Sequence, residues 1–372
     1  MLFTPEFTEE WQGEQLHEIA ELSKGIGISK EQLSENGTPC ILYGELYTKY
    51  KSEIISKIIS KTDIEKSKLK HSKQNDVIIP CSGETAIDIA VARCVPFDNV
   101  LLGGDLNVIR LHKYDGAFMA YQLNGKRKTD IAKLAQGVSV VHLYGENLKS
   151  IKTYNPSLQE QQKIVKLLSM LDERLEVQNK IIEDLKKLKS AIYQELFSNQ
   201  QGEEYSLSEL VEIIKGQQIN GNELSENGKY YVMNGGIMPS GYYDDYNTEA
   251  GTISISEGGN SCGYVQYNSS KFWSGGHCYT LHIKAAAPIS TLFLFHFLKW
   301  KEADIMTLRI GSGLPNIQKK DLSKVSIIVP TLDKQQRIMT LLSTFQMKIE
   351  HEDMYAINLN KQKQYLLSQM FI

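Results

Sequence analysis

PSLQEQQKIVKLLSMLDERLEVQNKIIEDLKKLKSAIYQELFS, residues 156–198, occurs twice in the chain. The second copy, PTLDKQQRIMTLLSTFQMKIEHEDMYAINLNKQKQYLLSQMFI, runs from Pro330 to Ile372, an offset of 174, and aligns without a gap. Pro156, Leu158, Gln161, Gln162, Ile164, Leu167, Leu168, Ser169, Leu185, Lys187, Lys189 and Phe197 all recur. An internal repeat fixes the architecture before any local reading does. Apolar residues fall at 164, 168, 171, 175, 182, 185, 192 and 196, and again 174 residues later. This four-then-three spacing keeps a narrow stripe on one face of a helix, as in a coiled coil. Neither copy holds a glycine or an internal proline, and each opens with Pro and a Ser or Thr, a helix-start signal. Roughly 40 residues at ~1.5 Å each predict a rod of about 60 Å.

The stripe has polar defects at the same places in both copies: Gln178 and Lys189, then Glu352 and Lys363. Polar seam residues cost stability but fix register, so their recurrence predicts that the helices pair with each other, antiparallel, under a two-fold relation. One axis sets Lys189 opposite Glu352 and Gln178 opposite Lys363. It also sets Ile182 against Leu359, Leu185 against Ala356, Leu175 against Leu366 and Ile192 against Ile349. A lysine facing hydrocarbon without a partner would be costly.

The 372 residues, at a net charge of −3, predict two or three domains with a sizeable core. A dedicated DNA binder is usually basic, so the charge counts mildly against one acting alone. Five cysteines form no CxxC, which fits a reducing compartment better than a disulfide framework. The opening MLFTPEFTEEW lacks a signal-peptide pattern, and no apolar run reaches the ~20 residues of a membrane span. The expectation is a soluble, cytoplasmic protein.

Around the helices the chain repeats a second plan. LSENG occurs at Leu33–Gly37 and Leu224–Gly228, an offset of 191 at which Lys24-Gly25 also meets Lys215-Gly216. Toward each helix the offset becomes 174, with Gly137 meeting Gly311 and Leu148 meeting Leu322. The first domain therefore carries 17 extra residues in its middle. The boundaries read as a domain at 1–153, a long helix at 154–200, a domain at 201–329 and a long helix at 330–372. Strands are expected at Val77–Cys81, Ala90–Pro96, Val100–Leu102, Asn107–Leu111 and Val138–Leu143. In the second domain they are expected at Gly251–Ser256, Tyr264–Tyr267, Cys278–Ile283 and Val325–Val329. Short helices are expected at Ala117–Leu123 and Thr291–Trp300. The lysine-rich stretch Lys51–Lys73, with lysines 57, 61, 66, 68, 70 and 73, reads as a solvated helix face rather than a phosphate rail.

Catalytic constellations are missing. Asn155-Pro156 lacks the Pro-aromatic continuation of an amino-methyltransferase motif, and Gly125-Lys126 lacks the earlier glycine of a P-loop. Glu183-Asp184-Leu185-Lys186 imitates a nuclease carboxylate motif but sits on the long helix. Cys262, His277, Cys278 and His282 match no zinc-finger spacing; buried Cys is ordinarily core.

Two domains alternating with two duplicated helices resemble the specificity subunit of a type I restriction-modification system, across essentially the whole chain. The PxLxxQQ[KR]I openings at Pro156–Ile164 and Pro330–Ile338 carry the resemblance, with the closing YQELF and SQMFI and the FTEEW lead-in at Phe7–Trp11. GSGLPNIQKKDL, Gly311–Leu322, is similar to the family's G-S-x-x-P-N block. The first domain departs there, with QGVSVVHLYGENL at Gln136–Leu148 and no Pro-Asn. The resemblance implies an α+β fold: two target-recognition domains of mixed structure, separated by two long antiparallel helices in a pseudo-two-fold coiled coil. It implies that each domain reads one half of a bipartite double-stranded DNA target, and that the helices dock two adenine-methylating modification subunits. A translocating restriction subunit is a further partner. S-adenosylmethionine, ATP and Mg would belong to those partners, and the chain itself would hold no cofactor or metal and catalyse nothing.

Readers on one duplex face stand about one helical turn apart, ~34–36 Å, a span the rod can hold. Base edges are reached by polar loop side chains, and phosphates by Lys, Arg and backbone N–H groups. The DNA-contact candidates are Tyr43, Ser82, Glu84, Lys126, Arg127 and Lys128 in the first domain. In the second they are Asn234, Ser256, Asn260, Lys271, His277, Arg309 and Asn316. The alternative reading is a coiled-coil scaffold joining proteins, with globular ends that bind no nucleic acid.

Overall fold

The computed structural model describes residues 10–65, 67, 69–311 and 313–371. Lys66, Lys68 and the Phe7–Glu9 part of the lead-in lie outside them. The chain divides into two units, Met1–Lys180 with Asp353–Ile372, and Ile181–Glu352. The long helices Leu158–Ser198 and Leu332–Gln369 each pass from one unit into the other.

Both units are built on the same antiparallel four-stranded sheet. In the first its order is Ala20–Lys24, Leu106–Leu111, Asp76–Pro80, Arg93–Val95. In the second it is Val211–Lys215, Cys278–Ile283, Thr252–Ser256, Val265–Asn268. Burial along Asp76–Pro80 and Thr252–Ser256 is complete, the alternate hydroxyls of Thr252, Ser254 and Ser256 included, so both faces of these inner strands are covered. A ribbon ties the entry of each domain to its exit: Gln12–Gln15 pairs Lys152–Asn155, and Glu203–Ser206 pairs Ser326–Val329. The short helices form at Gly116–Asn124 and Thr291–Trp300.

The extra chain of the first domain is placed by its strands. Thr38–Ile41 corresponds to Tyr230–Met233, each running parallel to a later strand in the same register. The offset there is 192, against 176 at Asp76–Pro80, so sixteen extra residues lie between. This segment contains Lys51–Lys73, and it is not the expected helix. Ser60–Thr62 and Lys70–His71 are strands. Ser60 and Thr62 are buried, and Thr62 Oγ1 donates to the Gln32 carbonyl at 2.6 Å. Alternate small β-compatible side chains fill a sheet face there, so the period-2 pattern overrides the helical one. Val138–Leu143 also forms less strand than expected, only Val141–His142.

The QQ of each helix opening has a structural purpose. Gln161 Oε1 accepts from Asp115 N at 2.9 Å, while its Nε2 donates to the Pro156 carbonyl at 2.8 Å. Gln335 does the same with Ser290 N and the Pro330 carbonyl, both at 2.9 Å. Asp115 and Ser290 are themselves the N-caps of the short helices. Each glutamine is buried and locks the start of a long helix to the cap of a short one.

In each unit the long helices run antiparallel. Ile164 and Leu168 pack with Leu367, Met370 and Phe371, joined by Trp11 and Phe118. In the second unit Ile192, Tyr193, Leu196 and Phe197 pack with Ile338, Met339 and Leu342 over the sheet core. The register differs from the expected one. Lys189 Nζ donates to Gln346 Oε1 at 2.6 Å, not to Glu352, whose carboxylate takes Lys348 at 2.5 Å. Lys363 meets Asp172 Oδ1 at 2.5 Å and also bonds Glu53, instead of facing Gln178. Both contacts belong to one register, six residues from the expected pairing and about 9 Å along the axis. The reason is the charge supply. A buried lysine needs anionic partners, and Glu53 arrives from the extra segment, outside either helix. Of the seam residues, Gln178, Ile182, Ile349, Leu359 and Lys363 are buried. Leu175, Leu185, Lys189, Ile192, Glu352, Ala356 and Leu366 are half-buried.

At the second unit's end of this seam, Tyr193 Oη lies 2.6 Å from His296 Nδ1. Burial, and then the Lys189 ammonium, push the imidazole down to about 4 from its ordinary 6.5. The folded state therefore holds His296 neutral while the unfolded chain takes up a proton below pH ~6.5. Its contribution is complete above that value and declines as pH falls toward 4. We expect about 2 kcal/mol of loss between pH 7 and pH 5 from this group. Urea midpoints for the wild type and His296→Gln at the two pH values check this: the variant should lose distinctly less on acidification.

Candidate nucleic-acid interface

In each unit the loops at one end of the four-stranded sheet are locked by the same backbone junction. Cys81 N donates to the Asp105 carbonyl and Leu143 N to the Cys81 carbonyl, both at 2.7 Å. In the second unit Glu257 N donates to the His277 carbonyl at 2.9 Å, and Ile317 N to the Glu257 carbonyl at 2.8 Å. Asp105 thus corresponds to His277, Cys81 to Glu257 and His142 to Asn316. Three loops meet at each junction, and Ser82, Glu84, Ser256, Asn260, His277 and Asn316 lie on them.

The second unit shows the denser cluster. Glu257 is buried, with Lys215 Nζ 2.6 Å from one oxygen and His277 Nδ1 3.3 Å from the other. Asn234 Oδ1 accepts from His277 N at 3.1 Å. Ser256 Oγ donates to the Gly235 carbonyl at 2.6 Å, holding a turn whose glycine has φ +86. Asn316 pairs with Gly258 and with Ile310. Asn260 and Arg309 are exposed on the flanking loop and helix end. Lys271 is held elsewhere, its ammonium 2.7 Å from Tyr246 Oη and 3.2 Å from Glu249.

In the first unit Ser82 is buried and donates to Asp105 Oδ2 at 3.2 Å. Tyr43 and Glu84 lie close enough to Tyr47 to join its burial in raising that phenol. Lys24 stands over the Tyr144 ring at 5.8 Å, and His142 stacks on Tyr144. Lys126, Arg127 and Lys128 belong to a different place, the turn after Gly116–Asn124. A Cβ at Gly125 would lie 2.7 Å from the Leu367 carbonyl, so this turn packs against the second long helix. Arg127 is committed there, 3.3 Å from Asp130 and 5.0 Å from the Tyr154 ring.

The sequence matches the type I restriction modification DNA specificity domain over residues 8–187 and again over 199–359. The chain belongs to the type I restriction-modification specificity family. Relatives named as type I specificity subunits include one from Mycoplasma pneumoniae, 34% identical over 43% of this chain, and one from Mycoplasma genitalium, 31% identical over 39%. The chain matches 43% and 38% of those relatives' own lengths, about two-fifths in each case. A crystal structure of a type I restriction-modification S subunit from M. genitalium has the same fold, with a TM-score of 0.63 at 22% identity, covering 99% of this chain and 98% of that one.

Within this specificity-family fold, Ser82 and Ser256 shape their loops from the inside, while Glu84, Asn234, His277, Asn260, Arg309 and Asn316 lie at or beside the loop surface. Glu257, Lys215, Asp105, Lys24, His142 and Tyr144 were missed from the sequence. The duplicated Lys-Gly at 24–25 and 215–216 was the available signal for two of them. Gly25 N and Gly216 N donate to the Leu106 and Cys278 carbonyls at 2.9 and 2.8 Å, bringing each lysine to its junction.

Proposed function

We propose that this chain is the DNA-reading subunit of a type I restriction-modification complex, each unit reading one half of a bipartite duplex through its junction loops. One observation carries the reading: the specificity-domain match falls once on each half of the chain, and each half presents the same three-loop junction. The loops offer hydrogen-bonding side chains of both kinds, with Asn234, Asn260, Asn316 and the His277 imidazole as donors and acceptors, Glu84 as acceptor, and Arg309 as a cation. Arg bidentate to guanine and Asn bidentate to adenine are the pairings these residue types favour. The paired helices set the spacing of the two readers and dock two adenine-modifying subunits. A restriction subunit joins the assembly, which works in the cytoplasm. S-adenosylmethionine, ATP and Mg are held by those partners. A scaffold without nucleic-acid binding would have no use for two polar loop clusters at equivalent strand ends.

The expected behaviour of the purified chain alone is retention of a specific duplex without chemistry on it. Incubation with S-adenosylmethionine and DNA should transfer no methyl group until modification subunits are added. Turnover by the chain alone would overturn the assignment.

A further inference from the structure

The two units also share a feature that hydrogen-bonding readout does not use. In the first, Gln136 and His142 exchange backbone hydrogen bonds of 2.9 and 2.7 Å, closing a tight loop at 137–141. In the second, Ile310 and Asn316 close the corresponding loop with bonds of 2.8 and 3.0 Å. Gly137 has φ +117, and a Cβ there would lie 2.2 Å from the Val140 carbonyl; Gly311 has φ +104. The same turn is therefore built without the Pro-Asn of the second domain. It holds an apolar side chain out in water at the same position in both: Val140 is 53% exposed and Leu314, 174 residues on, is 86% exposed. Val138 beside the first is 97% exposed. Single exposed apolar residues need no explanation, but recurrence at one position of two otherwise divergent loops does.

The neighbours of these tips indicate the occupant. His142 pairs with Ser82 and Asn316 with Gly258, so each tip lies one ladder step from the loop carrying Glu84 or Asn260. Those polar residues differ between the units, as readers of different sequences must. The apolar tip is kept, as befits a contact that does not depend on base identity. Apolar side chains can meet DNA either at a thymine methyl or by entering between base pairs and unstacking them, with Phe, Leu, Ile, Met and Pro the usual wedges; only the second is independent of base identity. We propose that Val140 and Leu314 are wedges, each pressing into one base step of its half-site and unstacking it. Specificity at that step then comes from how easily it deforms. The inference rests on the DNA-reading function proposed above.

The test enriches a random duplex pool on the full chain, then places 2-aminopurine at successive steps of the selected duplex. Wild-type protein should raise the fluorescence at one step in each half. Leu314→Ser should abolish the rise in one half only and weaken binding about tenfold, and Val140→Ser should do so in the other. Unchanged unstacking and affinity in Leu314→Ser, with Asn260→Ala weakened, would overturn the wedge while leaving DNA reading intact. Loss of modification-subunit binding with unstacking and DNA affinity unchanged would assign the tip to a protein interface and overturn it equally. If the pool yields no preferred duplex, the reading itself fails, and the wedge with it.

Discussion

Lys363→Ala is expected to cost about 3–5 kcal/mol of folding stability, the range for removing one partner of a buried ion pair. Lys363 is 4% exposed, and its ammonium touches both Glu53 and Asp172. Asp172 Oδ2 also accepts from Tyr121 Oη at 2.6 Å. Burial and the Glu53 charge already push the Asp172 carboxyl upward, and Lys363 opposes them. Without the ammonium, two buried carboxylates would share the site. One must then take a proton, and the loss should deepen as pH rises. The equivalent Lys189 offers the control. It is half-buried, and its partner Gln346 is neutral and already donates to Glu350 at 2.7 Å. Lys189→Leu should therefore change stability by less than about 1 kcal/mol. Urea denaturation of both variants decides the matter. Adding Glu53→Gln and Asp172→Asn to Lys363→Met should recover most of the loss. Equal losses at 189 and 363 would show that the buried acids are not what makes position 363 critical.

Under the proposed function, exchanging the second domain for that of another family member is expected to change one half of the DNA target and leave the other half as it was. Base contacts are local to each reader, and the two junctions share no residue. The structure also indicates where to cut. Phe197, Ile338 and Leu342 of the long helices belong to the core formed by Phe293, Phe297 and the sheet. A cut at 202–329 would graft a foreign domain onto these side chains, with the repacking cost of a mismatched core. A cut that moves 181–352 keeps that core whole. Both chimaeras should re-target one half, the second with the smaller loss of thermal stability. A change in both halves would contradict independent reading.

The long helices, the alternation of domain and helix, and three strands of each four-stranded sheet were legible in the sequence. An ungapped duplication and a sustained apolar period depend only on residues near one another in the chain. The helix register was not legible. A stripe of three- and four-residue steps fits itself again after a shift, and the choice rested on pairing charges within the helices. The decisive charge, Glu53, is 310 residues from Lys363 and comes from a segment read as a surface helix. The candidate interface was legible in part for a similar reason. Asn234, His277 and Asn316 stood out as polar loop residues and do converge. Glu257 did not, because nothing local marks a carboxylate that a distant lysine and histidine will enclose. Lys126, Arg127 and Lys128 were candidates for DNA contact; they stand on a separate turn, where Arg127 reaches Asp130 and the Tyr154 ring.

Under the proposed function this chain decides which DNA is modified, and a map of methylated adenines across the genome of a host with and without the gene reads that choice. One bipartite motif is expected whose adenines are methylated when the chain is present and unmethylated when it is absent. A methylation map that does not change on removing the gene would contradict it.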